Sequence, residues 1–204
     1  MIMTLDEIHT IMYDNPYKAR KGEAPDIFYV STLARSVQAE FDRKMNPQVP
    51  SSDNNQTMYG KALHKYLQDE RFARHGFQKE ISIAVKIPAD YTFDNVHVTE
   101  MTLVGYADLY LPEKNLVIEL KTTTGSKALI DISMKMQLAL YVSALEQKLN
   151  TPLDGQVLRI SAREESLYAL SREEITSYSQ TIIERALEVA GMLDGKIMQH
   201  NVSV

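Results

Sequence analysis

The chain has 204 residues, 44% of them hydrophobic, which is enough to build one domain with a full core over residues 1–204. It has no cysteine, which excludes disulfides, zinc–thiolate sites and an iron–sulfur cluster. The net charge of -5 does not suit a protein that binds nucleic acid over its whole surface, although it allows a local basic site. No apolar run could span a bilayer and the first residues lack the pattern of a signal peptide, so we expect a cytoplasmic protein without membrane contact.

The first quarter of the chain is predicted to be helical. The segment Thr4-Leu-Asp-Glu7 has the pattern of a capping box, and Asn15-Pro16 ends the helix that it opens. Ser31 is a candidate cap for a second helix, which runs to about Met45. Residues 46–55, a polar stretch with two prolines, are predicted to form a loop.

A third helix is predicted from Met58 to Gln68, and His64 borders its apolar stripe. The stripe consists of Tyr59, Leu63, Tyr66 and Leu67. A histidine in this place is either a half-exposed packing residue or a ligand. Alternation of isoleucine and valine with small or polar residues then predicts a half-buried strand from Ile81 to Ile87.

Two acidic residues lie in a predicted hairpin near the middle of the chain. Residues 101–111 and 116–121 are rich in β-formers, and Pro112-Glu-Lys-Asn115 between them is typical of a turn. If this four-residue loop closes the hairpin, antiparallel pairing sets Asp108 opposite Glu119, with their side chains about 5 Å apart on one sheet face. Side-chain alternation places Lys121 on the face of Glu119.

Opposed carboxylates destabilise a sheet unless a cation, a shared proton or a slipped register compensates them. A hard cation such as Mg²⁺ or Mn²⁺ prefers oxygen ligands, and it can activate water for hydrolysis of a phosphodiester while a lysine stabilises the transition state. The competing interpretation makes Glu119 and Lys121 a solvated face of an edge strand.

The rest of the chain predicts a helix, two strands and a final helix. The helix spans about Ile130 to Leu149, the strands span Val157–Ile160 and Ser166–Leu170, and Ser171-Arg-Glu-Glu174 caps a helix that reaches about Met198. We therefore expect an α/β fold in which helices flank a mixed sheet.

Four ordered motifs carry a family resemblance. They are Gly60-Lys-Ala-Leu-His64, Gly105-Tyr-Ala-Asp108, Glu119-Leu-Lys121 and Gln137-Leu-Ala-Leu-Tyr141. Their order and spacing resemble the PD-(D/E)xK nuclease superfamily and, within it, the RecB-like branch that includes the CRISPR-associated RecB-like exonucleases. The resemblance implies a restriction-endonuclease-like core and hydrolysis of DNA with Mg²⁺ or Mn²⁺.

The resemblance also implies a role for each motif residue. It implies that the side chains of His64, Asp108 and Glu119 and the carbonyl of Leu120 bind the metal. It implies that Lys121 and the two carboxylates are catalytic. It also implies that Gln137 and Tyr141 contact the substrate. Gln137 and Tyr141 also share a helix face with apolar residues, so packing is the alternative role for both. Lysines and arginines near the histidine helix, among them Lys61 and Lys65, are candidates for a phosphate track, and solvated helix faces are the alternative.

The absence of cysteine is a departure from many CRISPR-associated relatives, in which cysteines bind an iron–sulfur cluster. It favours a relative without the cluster, such as a nuclease of a phage, an archaeal virus or a mobile element. The first functional hypothesis is a DNA exonuclease that acts on single strands or DNA ends, with a homo-oligomer left open. The alternatives are a catalytically inactive DNA-binding or assembly subunit and an unrelated α/β protein.

Overall fold

The computed structural model describes residues 24–46 and 55–195. The helix predicted after Thr4 and most of the loop predicted at 46–55 lie outside the described residues. The last helix ends at Leu193, with Asp194 as its C-cap, so the predicted end at about Met198 is wrong. The strands are β1 (Ile27–Tyr29), β2 (Gln78–Phe93), β3 (Val96–Leu111), β4 (Leu116–Thr122), β5 (Asp154–Ile160) and β6 (Glu165–Ala169). The α-helices are α1 (Val30–Arg35), α2 (Val37–Met45), α3 (Asn55–Tyr66), α4 (Ile132–Leu149) and α5 (Arg172–Leu193).

The six strands form one mixed sheet in the order β1-β3-β4-β5-β6, and β2 also pairs with β3. β1 is parallel to β3 and β4 is parallel to β5, whereas the other pairs are antiparallel. Helices flank this sheet. The mixed sheet with flanking helices confirms the predicted α/β class and its restriction-endonuclease-like core.

Two hydrophobic clusters hold the helices against the sheet. The larger cluster joins apolar residues of α1, α4 and α5 to the strands, and Met101, Leu138 and Ile182 are among its fully buried members. The smaller cluster contains Leu109, Ile118 and Leu120, against which Leu67, Phe72 and Phe77 pack. The second cluster ties the segment that follows α3 to the carboxylate hairpin.

Both hairpins along β2, β3 and β4 turn through residues with left-handed backbone angles. Asp94 and Asn95 connect β2 to β3 with φ of 49° and 63°, the geometry that a two-residue hairpin turn favours. A short 3₁₀ turn at Pro112–Lys114 and Asn115, with φ of 50°, connect β3 to β4 as the sequence predicts.

The second predicted helix is in fact two helices, α1 and α2, separated by Ser36. The backbone of Ser36 is extended, and its hydroxyl accepts a hydrogen bond from the backbone N–H of Ala39 at 3.3 Å. The prediction that Ser31 caps one continuous helix is therefore wrong, because Ser36 takes the cap position instead.

The predicted capping box at the start of α5 is present. The Ser171 hydroxyl accepts from the N–H of Glu174 at 3.1 Å, and the Glu174 carboxylate accepts from the N–H of Ser171 at 2.9 Å. Within the described residues, no helix combines the length and the apolar character needed to cross a membrane.

Candidate active site

The site lies where the pairing of β3 with β4 stops. Leu111 pairs with Leu116 as predicted, and the pairing ends with Leu109 opposite Ile118. Asp108 directly precedes Leu109 in β3, and its Oδ2 accepts a hydrogen bond from the backbone N–H of Leu120 at 2.8 Å. The register agrees with the predicted opposition of Asp108 and Glu119, and the two carboxylates lie close enough to interact. Backbone pairing stops one pair earlier, and a side-chain bridge from Asp108 to β4 takes its place.

Glu119 is the most deeply buried acidic group of the site. Its side chain has no exposed surface, and Nζ of Lys121 forms an ion pair with its Oε1. Among the described residues, Oε2 has no hydrogen-bond partner. A carboxylate oxygen buried without a donor indicates a place for a further cation.

Electrostatics couple the three motif residues. Burial, followed by repulsion from Asp108, raises the pKa of Glu119 well above its usual range, although Lys121 opposes this shift. Burial opposes the charge of Lys121, but attraction to Glu119 and Asp108 outweighs it and raises the lysine pKa. Arg35, at the end of α1, acts in the lowering direction on the same lysine. The site therefore keeps a cationic lysine against two acidic groups.

The acidic pair suits a hard divalent cation. Asp108 and Glu119 offer carboxylate oxygens, one of which is buried without a partner. No cluster of three or more His, Cys, Asp and Glu side chains able to hold a metal ion occurs in residues 24–46 and 55–195. The two carboxylates are the acidic donors that the site offers, and hard divalent cations commonly complete their shells with water. The carbonyl of Leu120 stays a predicted ligand.

His64 approaches the site from α3. Its Nε2 lies 3.4 Å from Oδ1 of Asp108, and its side chain is 23% exposed. The hydroxyl of Thr122, just after Lys121, donates to the carbonyl of Gly60 at 2.7 Å and so joins α3 to the end of β4. The structure brings His64 to Asp108 as the motif order implies, and its role as a metal ligand stays a prediction.

Gln137 and Tyr141 lie beneath the site in α4. Tyr141 is 1% exposed and Gln137 is 9% exposed, and the Gln137 amide donates to the Tyr141 hydroxyl at 3.1 Å. The Tyr141 ring fills the space over Gly105, where a Cβ would collide with it. The glycine of the Gly105-Tyr-Ala-Asp108 motif thus permits close packing of α4 on β3, and direct contact of Gln137 or Tyr141 with a substrate stays a prediction.

A groove of about 670 Å³ adjoins Lys121. Basic and hydroxyl side chains dominate its lining, although Asp69 and Glu80 also reach it. Its basic residues are Lys61, Lys65, Lys79 and Lys121, and its threonines are Thr122, Thr123 and Thr124. The sequence indicated Lys61 and Lys65, but it did not indicate Lys79 or the threonines, because only the fold brings β2 and the end of β4 to α3.

Sequence reasoning also missed Gln68, which is 4% exposed. Its amide donates to the backbone carbonyl of Asp108 at 3.2 Å. The signal available in the sequence was its position four residues after His64, which places both residues on one face if the helix continues.

Comparisons with solved structures give the same fold. A candidate exonuclease from Eubacterium rectale is similar with a TM-score of 0.61 and 12% identity, covering 100% of this chain and 95% of that one. A phage-related exonuclease from Haemophilus somnus 129PT has a TM-score of 0.52 and 13% identity, with 97% and 96% of the two chains covered. The protein SSO0001 has a TM-score of 0.51 and 21% identity, with 79% and 77% covered.

Sequence comparison gives the family. No curated protein matches the chain significantly. The family model of the PD-(D/E)XK nuclease superfamily matches residues 8–202, which include all four motifs. Together with the mixed sheet and the acidic pair beside Lys121, this match shows that the chain belongs to the PD-(D/E)XK nuclease superfamily.

Proposed function

We propose that the protein is a metal-dependent deoxyribonuclease that hydrolyses DNA phosphodiester bonds, as an exonuclease acting on single strands or DNA ends. The observation that carries this proposal is the fully buried Glu119, which contacts Lys121 on one oxygen and lacks a partner on the other. A chain that had kept only the fold would not need to retain such an electrostatically costly arrangement.

We assign the following roles to the site residues, and their positions support these roles. Asp108 and Glu119, with the Leu120 carbonyl, would hold Mg²⁺ or Mn²⁺. The cation supplies Lewis acidity, which activates water and neutralises charge on the phosphate. Lys121 keeps its proton because both carboxylates raise its pKa, so it stabilises negative charge that develops on the phosphate. His64 lies against Oδ1 of Asp108, where it either orients this carboxylate or adds a ligand.

The groove beside Lys121 is the proposed path of the DNA backbone. Four lysines and two acidic residues line it, and ion pairs join Lys79 to Asp69 and Lys121 to Glu119. Lys61 and Lys65 on α3 are the lysines that we propose contact phosphates. Lysines at such a place attract phosphates and release their counterions, which makes binding dependent on salt. The threonine hydroxyls at the end of the groove are suitable hydrogen-bond donors to phosphate oxygens.

The exonuclease part of the proposal is supported by the names of two structural neighbours, the proteins from E. rectale and H. somnus. Both were matched over nearly their whole length, so their fold covers the same elements as this chain. We include single strands and DNA ends as substrates because RecB-like enzymes, which the motifs resemble, act on them.

The direct test is degradation of DNA labelled at the 5′ or the 3′ end, as single strand and as duplex, with Mg²⁺, Mn²⁺ or EDTA. We expect stepwise shortening from an end by the wild-type protein with either cation and none in EDTA. Lys121→Ala and Asp108→Asn should be inactive, whereas Lys148→Ala, a change of an exposed lysine on α4, should keep full activity.

Three outcomes would contradict parts of this proposal. Internal cuts in a circular single strand would replace the exonuclease by an endonuclease. Activity that survives both substitutions would refute the assigned site. DNA binding without cleavage under any divalent cation would favour the inactive DNA-binding or assembly subunit.

A further inference from the structure

We infer that Gln68 is a positioning residue, which fixes the backbone of Asp108 and thereby sets the affinity of the site for its metal. The inference rests on the proposed function, since it assumes that Asp108 is a metal ligand. Gln68 belongs to none of the four motifs, and its contact is with the main chain of Asp108 rather than with its carboxylate.

The hydrogen bond is partly buried. Gln68 is 4% exposed, and its Nε2 lies 3.2 Å from the carbonyl oxygen of Asp108. Such a bond between neutral groups contributes only about 1 kcal/mol to stability. The bond matters mainly for geometry, because it joins the segment after α3 to Asp108, the residue of β3 that contributes a carboxylate to the site.

Asp108 needs this support because the sheet holds it weakly at this point. The pairing of β2 with β3 passes from Lys79 opposite Leu109 to Ile81 opposite Ala107, with no pair at Glu80 and Asp108. Glu80 has φ of 52°, a left-handed conformation that interrupts β2 directly across from Asp108. On the other side, pairing with β4 has already ended at Leu109.

The segment that carries Gln68 is itself irregular. Residues Leu67–Phe72 form a π-helix that continues directly from α3. π-helical turns are rare, and they occur often at functional sites. Here the irregular turn follows His64, so that His64 reaches the carboxylate of Asp108 while Gln68 reaches its carbonyl. One short stretch of chain therefore contacts both the side chain and the backbone of Asp108.

Loss of a hydrogen bond that orients a metal ligand commonly weakens metal affinity or activity by about 10- to 100-fold. We therefore expect Gln68→Met, which keeps side-chain length and removes the donor, to raise the Mn²⁺ dissociation constant at least about tenfold. Gln68→Glu, which places a carboxylate against the carbonyl, should do the same. Gln147→Met, an exposed glutamine on α4, is the matched control and should have no effect.

The experiment measures Mn²⁺ binding by electron paramagnetic resonance, and then kcat and KM for DNA across Mn²⁺ concentrations. Circular dichroism establishes that each variant is folded before the titration. For the Gln68 variants we expect weaker Mn²⁺ binding, recovery of kcat at high Mn²⁺ and an unchanged KM for DNA. Asp108→Asn should not recover at any Mn²⁺ concentration.

The outcomes separate this inference from the proposed function. Mn²⁺ affinity equal to that of wild type in both folded Gln68 variants would overturn the inference, as would a wild type that binds no Mn²⁺. An inactive wild type with Gln68-dependent Mn²⁺ affinity would refute the nuclease and keep the inference. If Gln68→Met does not fold, Gln68→Glu alone decides.

Discussion

Oδ2 of Asp108 accepts a hydrogen bond from the backbone N–H of Leu120 at 2.8 Å, at the point where β3 and β4 separate. This bond lets one carboxylate replace a missing ladder bond and leaves Oδ1 toward His64. The carbonyl of Leu120 belongs to the donor set proposed for the metal, so the bond also fixes one ligand relative to another.

Asp108→Asn should separate metal binding from folding. The amide oxygen of asparagine can still accept from Leu120, so we expect a folded protein. With Mn²⁺ at about 100 times its dissociation constant, wild type should gain about 2.7 kcal/mol in unfolding free energy. The variant should gain little, as measured by thermal unfolding with and without Mn²⁺. Equal gains in both proteins would show that Asp108 holds no metal.

Much of the carboxylate hairpin was predictable from the sequence. The β-forming segments, the turn at 112–115 and the pairing of Leu111 with Leu116 follow from local composition and loop length. The bridge from Asp108 to Leu120 was not predictable, because pairing rules assume that a ladder continues. Where the strands diverge, a side chain takes over from the backbone, and only the three-dimensional course of the strands shows this.

The contacts made by α3 were predictable only in part. The pattern around His64 indicated a helix, but propensities do not indicate a π-helix at Leu67–Phe72. The role of Gln68 depends on this irregularity and on the left-handed Glu80, which lies 12 residues further along the chain. Such long-range arrangements arise from packing, which a sequence pattern does not record.

Gly105→Ala should destabilise the protein by about 1–3 kcal/mol, the usual cost of overpacking. An added Cβ would meet the hydroxyl and ring of Tyr141, which is fixed in the core. Urea unfolding measures the change. Gly60→Ala is the matched control, because its Cβ would lie 3.6 Å from Oγ1 of Thr122, an ordinary contact.

The Gly105 prediction has a second check. Replacing Tyr141 by Leu removes the ring that the new Cβ meets, so the two substitutions together should cost less than the sum of their separate costs. Strictly additive costs would show that Gly105→Ala acts through the backbone and not through Tyr141.

Lys65→Gln should reduce the salt dependence of DNA binding. Each phosphate that a lysine neutralises contributes about 0.7 to the slope of log affinity against log salt for a single strand. Fluorescence anisotropy in EDTA measures binding without cleavage. Lys148→Gln on α4 is the control and should keep the wild-type slope. Identical slopes for all three proteins would place the DNA backbone outside the groove.

Lys44 should make stability depend on pH. Burial, followed by repulsion from Arg43, lowers the pKa of Lys44 to about 8, against 10.5 in the unfolded chain. Between these two values the unfolded chain binds more protons than the folded protein, so stability from this group rises as pH increases.

Urea unfolding at several pH values between 7.5 and 10.5 measures the effect of Lys44. Relative to Lys44→Met, wild type should gain unfolding free energy across this range. A difference in unfolding free energy that does not change with pH would show that the pKa of Lys44 is not lowered by folding. The carbonyls of Ala24 and Pro25, each 3.0 Å from Nζ of Lys44, would then compensate the ammonium group for its burial.

The ion pair between Lys121 and Glu119 also bears on how the protein matures after synthesis. Because the lysine offsets part of the buried negative charge, folding of this region would not require the proposed cation to be present. Binding of the cation would then follow folding and would be reversible. In that order of events, the supply of the cation would control when the proposed nuclease becomes active.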